Sequence, residues 1–219
     1  MNALVMYDHQ SDTLWSQFLS RGVKGPLINT RLEIVPVLQT TWQQWLSLHP
    51  NTLVLNKRAR YQTDSYEGYY RGGSAGIIGE SNKDRRLAPK DLVLGIDLAG
   101  FAKAYPFEAM AGQRVINDFF AGNHALVTFD PATETGVAFD RTVGGNPLTF
   151  RVDQETIDGL LLLQDEETGS TWQSLTGRAI DGPLAGTALK RLPSSYAFWF
   201  AWSDFHPDTE LYGVASLSN

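Results

Sequence analysis

The sequence contains no cysteine. Disulfides, thiolate metal sites and cysteine nucleophiles are therefore excluded in this chain. It also lacks any run of about 18 apolar residues, so no membrane-spanning helix is predicted. The first ten residues, MNALVMYDHQ, carry neither the basic start nor the long apolar centre of a secretory signal. Read literally, that start keeps the chain in the cytoplasm. Basic residues are outnumbered, with 18 Lys and Arg against 24 Asp and Glu, and the net charge of −6 argues against a nucleic-acid partner. What is present is an ordinary globular composition, 42% hydrophobic and 19% charged over 219 residues. Twenty Gly and ten Pro imply many turns, which favours a β-rich α+β fold over a helical bundle.

The chain resembles itself at a spacing of 157 positions. Leu4–Leu55 lies over Leu161–Tyr212 without a gap, with 15 identities in 52 positions. They include Asp8 with Asp165, Trp15 with Trp172, Gly25-Pro26-Leu27 with Gly182-Pro183-Leu184, Trp42 and Trp45 with Trp199 and Trp202, and His49-Pro50 with His206-Pro207. The period is too long for a solenoid and predicts two pseudo-symmetric units. Ahead of its repeated part the second unit has Lys90–Leu160, which has no counterpart in the first. The expected organisation is the back half of a first unit at 1–55, a connection at 56–89 and a complete second unit at 90–219. The incomplete unit is expected to leave apolar strand edges uncovered and to invite dimerisation or strand exchange.

Within the second unit, residues 93–98 and 101–105 read as a hairpin turning at Ala99-Gly100. Residues 107–112 read as a short helix and 124–129 as a strand before the turn at 130–136. Residues 137–143 and 148–152 alternate across Gly144-Gly145-Asn146-Pro147 and predict a second hairpin. A buried strand is expected at 160–163, then a turn at Asp165–Gly169. Residues 195–205 read as an amphipathic helix stopped at His206-Pro207, and 40–48 as its repeat, stopped at His49-Pro50. A residue before Pro leaves the helical region, so both His are expected to close a helix, where a partly protonated ring suits the negative end.

The connection differs from the rest. Asn56–Lys90 holds eight basic and four acidic residues and half of the eight Tyr: Tyr61, Tyr66, Tyr69 and Tyr70. It reads as a wrapping strap whose rings pack on the two units, or as an anionic or aromatic ligand site.

Several motifs occur in order: Asp84-Arg-Arg-Leu-Ala-Pro-Lys90, Val93-Leu-Gly-Ile96, Lys103-Ala-Tyr-Pro106, Val115-Ile-Asn-Asp118, Ala138-Phe-Asp-Arg141, Phe198-Trp-Phe-Ala-Trp202 and His206-Pro-Asp-Thr209. On these the chain resembles, over nearly its whole length, an uncharacterised prokaryotic family known as domain of unknown function 3179. The resemblance implies a two-unit protein, commonly exported and longer than this chain. It also implies a Cys-Pro-x-Cys-like motif in the first unit, at the position equivalent to Thr128–Pro131. The second unit here reads Phe129-Asp130-Pro131, without Cys. The resemblance implies architecture and supplies no activity.

Catalytic motifs are weak. Gly72-Gly-Ser-Ala-Gly76 matches a nucleophile elbow, but no strand-to-helix turn is predicted around Ser74. No His pair has metal-ligand spacing, and no metal or cofactor is expected. Asp8 and Asp165 either face each other across the pseudo-dyad or cap their own turns. Asn117, Asp118 and Asp140 sit at strand ends and could line a pocket with Tyr105 or form buried polar pairs.

Two readings follow. The first is a non-catalytic ligand-binding or structural module. Its site is the groove between units, for a small anionic or sugar-like ligand, with Tyr66, Tyr69, Arg71, Arg85, Tyr105 and Asn117 as candidate contacts. The alternative is a hydrolase-like or metal/redox enzyme remnant using Asp118, Asp130 and Asp140, its active part lying upstream of Met1.

Overall fold

The structure is a computed structural model and describes residues 4–56, 66–76, 79–155 and 160–213. The first stretch holds β1 (Val5–Tyr7), β2 (Leu14–Ser16), β3 (Arg21–Lys24) and α1 (Trp42–Leu48), and α2 (Glu67–Arg71) follows. The remaining elements run from Leu92 to Leu211. They are β4 (Leu92–Leu98), β5 (Phe101–Pro106), α3 (Phe107–Gly112), β6 (Val115–Phe120), β7 (Asn123–Asp130) and β8 (Thr135–Asp140). Next come β9 (Thr142–Val143), β10 (Asn146–Pro147), β11 (Phe150–Glu155), β12 (Leu161–Asp165), β13 (Thr171–Gln173) and β14 (Arg178–Asp181). The chain closes with β15 (Lys190–Arg191), β16 (Ser194–Phe198), α4 (Trp199–Phe205) and β17 (Glu210–Leu211). This is an α+β fold dominated by strands.

Three four-stranded sheets stack in layers, with orders β16-β4-β5-β17, β15-β8-β7-β6 and β11-β12-β13-β14. The middle one, β15-β8-β7-β6, is covered on both faces. Alternate residues of β6, β7 and β8 divide between two cores. Val115, Leu126, Val137 and Phe139 meet Phe150, Leu161, Leu163 and Trp172 of the sheet on one side. Ile116, Ala125, Val127 and Ala138 meet Leu94, Ile96 and Tyr105 of the sheet on the other. This is why residues 125–129 and 136–139 read as near-continuous apolar runs. A third core lies on the far face of β4 and β5, where Val93 and Ala104 pack against Trp199, Trp202 and Leu211.

Gly95 makes that third core possible. A Cβ there would lie 2.2–2.5 Å from three carbons of the Trp202 ring, so the ring lies directly on the backbone of β4. The indole is fixed at its other end, because Trp202 Nε1 donates to Thr209 Oγ1 at 2.9 Å.

The hairpin 93–98/101–105 forms with the register Leu98 opposite Phe101, and the helix at Phe107–Gly112 forms as expected. Two expectations are corrected. Residues 137–143 and 148–152 do not pair as one hairpin. β8 pairs with β7 and β15, whereas β11 pairs with β12. Only β9 and β10 close, around Gly144 and Gly145 with φ of 58° and 86°. Phe139 and Phe150 share one core from opposite sheets, so their alternation serves face-to-face packing rather than side-by-side pairing. Residues 195–205 are also not one helix. Ser194–Phe198 is a strand paired with β4, which places Ala197 over the third core, and only Trp199–Phe205 is helical.

The segments related by the 157-residue spacing carry the same contacts. Trp15 Nε1 and Trp172 Nε1 each donate to the preceding Asp8 and Asp165 at 2.8 Å. Trp45 Nε1 donates to Thr52 Oγ1 at 2.9 Å, as Trp202 does to Thr209. His49 and His206 each close a helix with a backbone N–H donated to Trp45 or Trp202. Asp8 and Asp165 cap their own turns. Asp8 accepts from the Ser11 N–H at 2.7 Å, and Asp165 from the Thr168 N–H at 2.6 Å. The Ser11 hydroxyl and the Trp15 indole hold Asp8 down to about 2.

The substitution Gly95→Ala tests the third core. Forcing a methyl against a ring pinned at both ends should cost about 1–3 kcal/mol. The loss would be read as a lower urea midpoint with an unchanged m-value.

Candidate functional site

Residues 17–39 lie across the outer face of β4 and β16 and leave a groove there. Its inner part has a volume of about 330 Å³. Trp202 and Gly95 form its floor, Ile34, Val35 and Val37 one wall, and Ser194, Ser195 and Tyr196 the other. A second hollow of about 470 Å³ continues from it and shares Phe18, Ser20, Ile34, Asp97 and His206. Arg21 and Arg31 line this outer part.

The polar groups have fixed positions. Ser195 pairs with Gly95 and Ser194 with Ile96 in the β16–β4 ladder. The Tyr196 hydroxyl donates to the Gly136 carbonyl at 2.7 Å and accepts from the Gly136 N–H at 2.6 Å. Burial pushes this phenol up to about 12. Asp97 caps the β4–β5 turn by accepting from the Gly100 N–H at 2.9 Å. His206 stacks on Trp202 with ring centroids 4.1 Å apart. Burial lowers its pKa, and the nearby Asp97 carboxylate opposes that shift. The expectation of a partly protonated ring at this helix end is therefore corrected: desolvation favours the neutral imidazole. Among the described residues, no hydrogen bond joins His206 to Ser194, Ser195 or Asp97, so no base is set against a hydroxyl nucleophile in this groove.

The nine candidate residues taken from the sequence lie elsewhere. Two of them meet: Tyr105 donates its hydroxyl proton to Asp118 at 2.9 Å. Lys103 Nζ also lies 2.6 Å from Asp118 and 3.6 Å from Glu210. Burial raises Asp118, but the hydrogen bonds from Lys103 and Tyr105 outweigh it and hold the carboxyl below its ordinary value. The Tyr105 hydroxyl is pushed upward by burial and by that same carboxylate, so it stays a proton donor.

Asn117, one residue earlier, points to the opposite face. Its amide donates to the Phe150 carbonyl at 2.7 Å and accepts from the Phe150 N–H at 2.8 Å. Adjacent residues thus fasten the middle sheet to both outer sheets. Asp140 shares a register row with Asp118 through Ala125, two strands or about 10 Å away. Its carboxylate accepts from the Thr142 N–H at 2.9 Å. Asp130 lies at the far end of β7 and accepts from Gln44 Nε2 of α1 at 2.8 Å and from Thr133 Oγ1 at 2.8 Å. The three carboxylates do not converge.

The connection packs on α4 and the end of β16. Tyr69 and Tyr70 contact Phe198, and Lys90 Nζ sits 3.8 Å from the centre of the Tyr69 ring. Tyr66 is exposed and stacks obliquely on Tyr70. Arg71 pairs with Glu67 at 2.6 Å in the open, and Arg85 is exposed. Lys57, Arg58, Arg60 and Tyr61 lie outside the described residues. None of the described connection residues lines the groove, which corrects the expectation that the strap borders it. Ser74 follows α2 rather than a strand, which does not fit a nucleophile elbow. Among the described residues no three His, Asp or Glu side chains are grouped closely enough to hold a metal ion. No described helix is long and apolar enough to cross a membrane.

Sequence reasoning missed Asp97, Arg21, Arg31, Ser194 and Ser195, and read His206 only as a helix stop. The one available signal was the repeated Trp-x-x-x-His-Pro, which places a ring on an imidazole in both segments.

The chain belongs to the family described as "Protein of unknown function (DUF3179)", whose sequence profile matches residues 1–98 and again residues 77–212. The double match fits two repeat-like units. No curated protein and no solved structure matches the chain.

Two outcomes are expected. His206 has a folded pKa below its ordinary value. Its contribution to stability is therefore complete above about pH 6.5 and is lost as pH falls through the lower folded value. His206→Gln should flatten the urea midpoint between about pH 5 and 7. Separately, Lys103→Met leaves Asp118 without its cation and should cost about 1–3 kcal/mol. Adding Asp118→Asn should restore part of that loss in a double-mutant cycle.

Proposed function

We propose that this protein is a non-catalytic binding module and that its ligand occupies the groove between residues 17–39 and the outer face of β4 and β16. The observation that supports this most is the pairing of an exposed apolar wall, Ile34, Val35 and Val37, with polar and basic groups in one concave site. The Trp202 indole is itself buried between Gly95 and His206, so the apolar surface open to a ligand is the wall of Ile34, Val35 and Val37. Ser194, Ser195 and Tyr196 line the inner part, and Arg21 and Arg31 the outer. With His206 neutral, the outer part carries two guanidinium groups against the single Asp97 carboxylate. A small anionic or sugar-like ligand suits that balance. Tyr66, Tyr69, Arg71 and Arg85 form a separate aromatic and basic surface around α2 that suits the same ligand class less well, because Lys90 already occupies the Tyr69 ring. Tyr105 and Asn117 are engaged between sheets and serve the scaffold. The enzyme reading on Asp118, Asp130 and Asp140 is not favoured, since each carboxylate is held as a hydrogen-bond acceptor at a different place.

A thermal-shift panel tests this reading. It should contain inorganic phosphate, sulfate, hexose phosphates and neutral disaccharides. One class should raise Tm saturably; at a hundred times Kd the gain is about 2.7 kcal/mol, several degrees for a chain of this size. Arg21→Ala and Arg31→Ala should each reduce the shift, and Arg71→Ala should not. A flat response across the panel would sink the groove as a ligand site.

A further inference from the structure

The two segments related by the 157-residue spacing differ sharply in what covers them. In the second, Leu161, Leu162 and Leu163 of β12 are 2%, 5% and 1% exposed. Their counterparts Leu4, Val5 and Met6 are 63%, 53% and 38% exposed. Trp199 is fully buried, and its counterpart Trp42 is half exposed. Leu27, Ile28 and Leu32 of the same segment are also exposed.

The second segment also records what the cover is. β12 pairs on its outer edge with β11, and Leu161 and Leu163 pack against Val115, Leu126, Val137 and Phe139 of β6–β8. Among the described residues, β1 has β2 on one side only. On that side the Leu4 carbonyl accepts from the Gln17 N–H and the Asp8 N–H donates to the Thr13 carbonyl. By the alternation of an antiparallel ladder, the N–H and C=O of Val5 and Tyr7 point to the open edge. We infer that the open edge of β1 and the apolar face beside it form a docking surface for a partner polypeptide with the pattern of residues 115–155, adding one strand antiparallel to β1. The register carries over from β11. Phe150, Arg151 and Val152 face Asp165, Gln164 and Leu163, so the incoming strand sets the equivalent residues against Asp8, Tyr7 and Met6. Strand addition satisfies the open backbone groups, and the alternating apolar side chains supply the buried face.

The probe is a synthetic peptide with the sequence of residues 147–155, PLTFRVDQE, added to the full chain. Saturable binding by calorimetry is expected, with hydrogen-exchange protection at Val5 and Tyr7; a scrambled peptide should not bind. Val5→Pro removes one open-edge donor without touching the β1–β2 bonds and should weaken binding by about tenfold or more. If that variant unfolds by circular dichroism, Met6→Lys makes the same test by placing a charge on the covered face. Absence of peptide binding to the wild-type chain overturns the inference. So does a concentration-dependent dimer in light scattering that Val5→Pro dissociates, because the occupant would then be a second copy of this chain.

Discussion

A sheet buried on both faces has no wet side on which to place polar groups, and most of this architecture follows from that constraint. β7 and β8 are apolar at most positions, and the sheet sets its adjacent polar pair, Asn117 and Asp118, in the middle of the edge strand β6 rather than at the strand end expected from the sequence. There, neighbouring side chains are used in opposite directions. Asn117 reaches one outer sheet by imitating a backbone pairing with Phe150. Asp118 reaches the other through Lys103 and Tyr105. The period of two along a strand turns two adjacent polar residues into fasteners for two different interfaces. Each is satisfied in place, as buried polar groups must be. Residues that resemble a catalytic cluster in the sequence therefore serve mainly as scaffold.

The groove arises one layer further out. β4 carries Gly95 where its neighbours on the same face carry larger groups, and Trp202 fills that gap so closely that the sheet backbone itself becomes the floor. Residues 17–39 cross above and contribute Phe18, which stacks on Phe205 at 4.8 Å. Gln44 adds a second anchor through Asp130. The first segment is thus tied to the second at its two ends, and the space between these ties is the open volume at Ser194–Tyr196. The shape of the groove has one origin, a glycine that admits an indole.

β7 and β8 of the middle sheet, the β4–β5 hairpin and the His-Pro stops of α1 and α4 were legible in the sequence, because local pattern and final environment agree there, whereas β6 and β15 were not read. Asp165-Glu-Glu-Thr-Gly169 announces its turn through a side chain that bonds within its own neighbourhood. The errors came where local pattern is ambiguous. Ser194–Phe198 continues the helical spacing of Trp199 and Trp202, and only its place beside β4 makes it a strand. Phe139 and Phe150 alternate as hairpin partners would, and only tertiary packing sends them to facing sheets. The groove was the least legible part. Arg21, Ser194 and His206 are far apart in sequence, and no motif spacing joins residues brought together by the crossing of one segment over another.

The paired tryptophan contacts have a kinetic meaning. Trp15 with Asp8, Trp172 with Asp165, Trp45 with Thr52 and Trp202 with Thr209 each span seven residues. Closing so short a loop costs little chain entropy and takes well under a microsecond. Each contact joins a large ring to a nearby acceptor before any distant strand arrives. The chain therefore has four contacts suited to act as local nuclei, two in each related segment, because none of them needs the layers to stack. A segment with such nuclei can hold its shape while one of its faces stands open, and can present that face ready-formed to whatever polypeptide completes it.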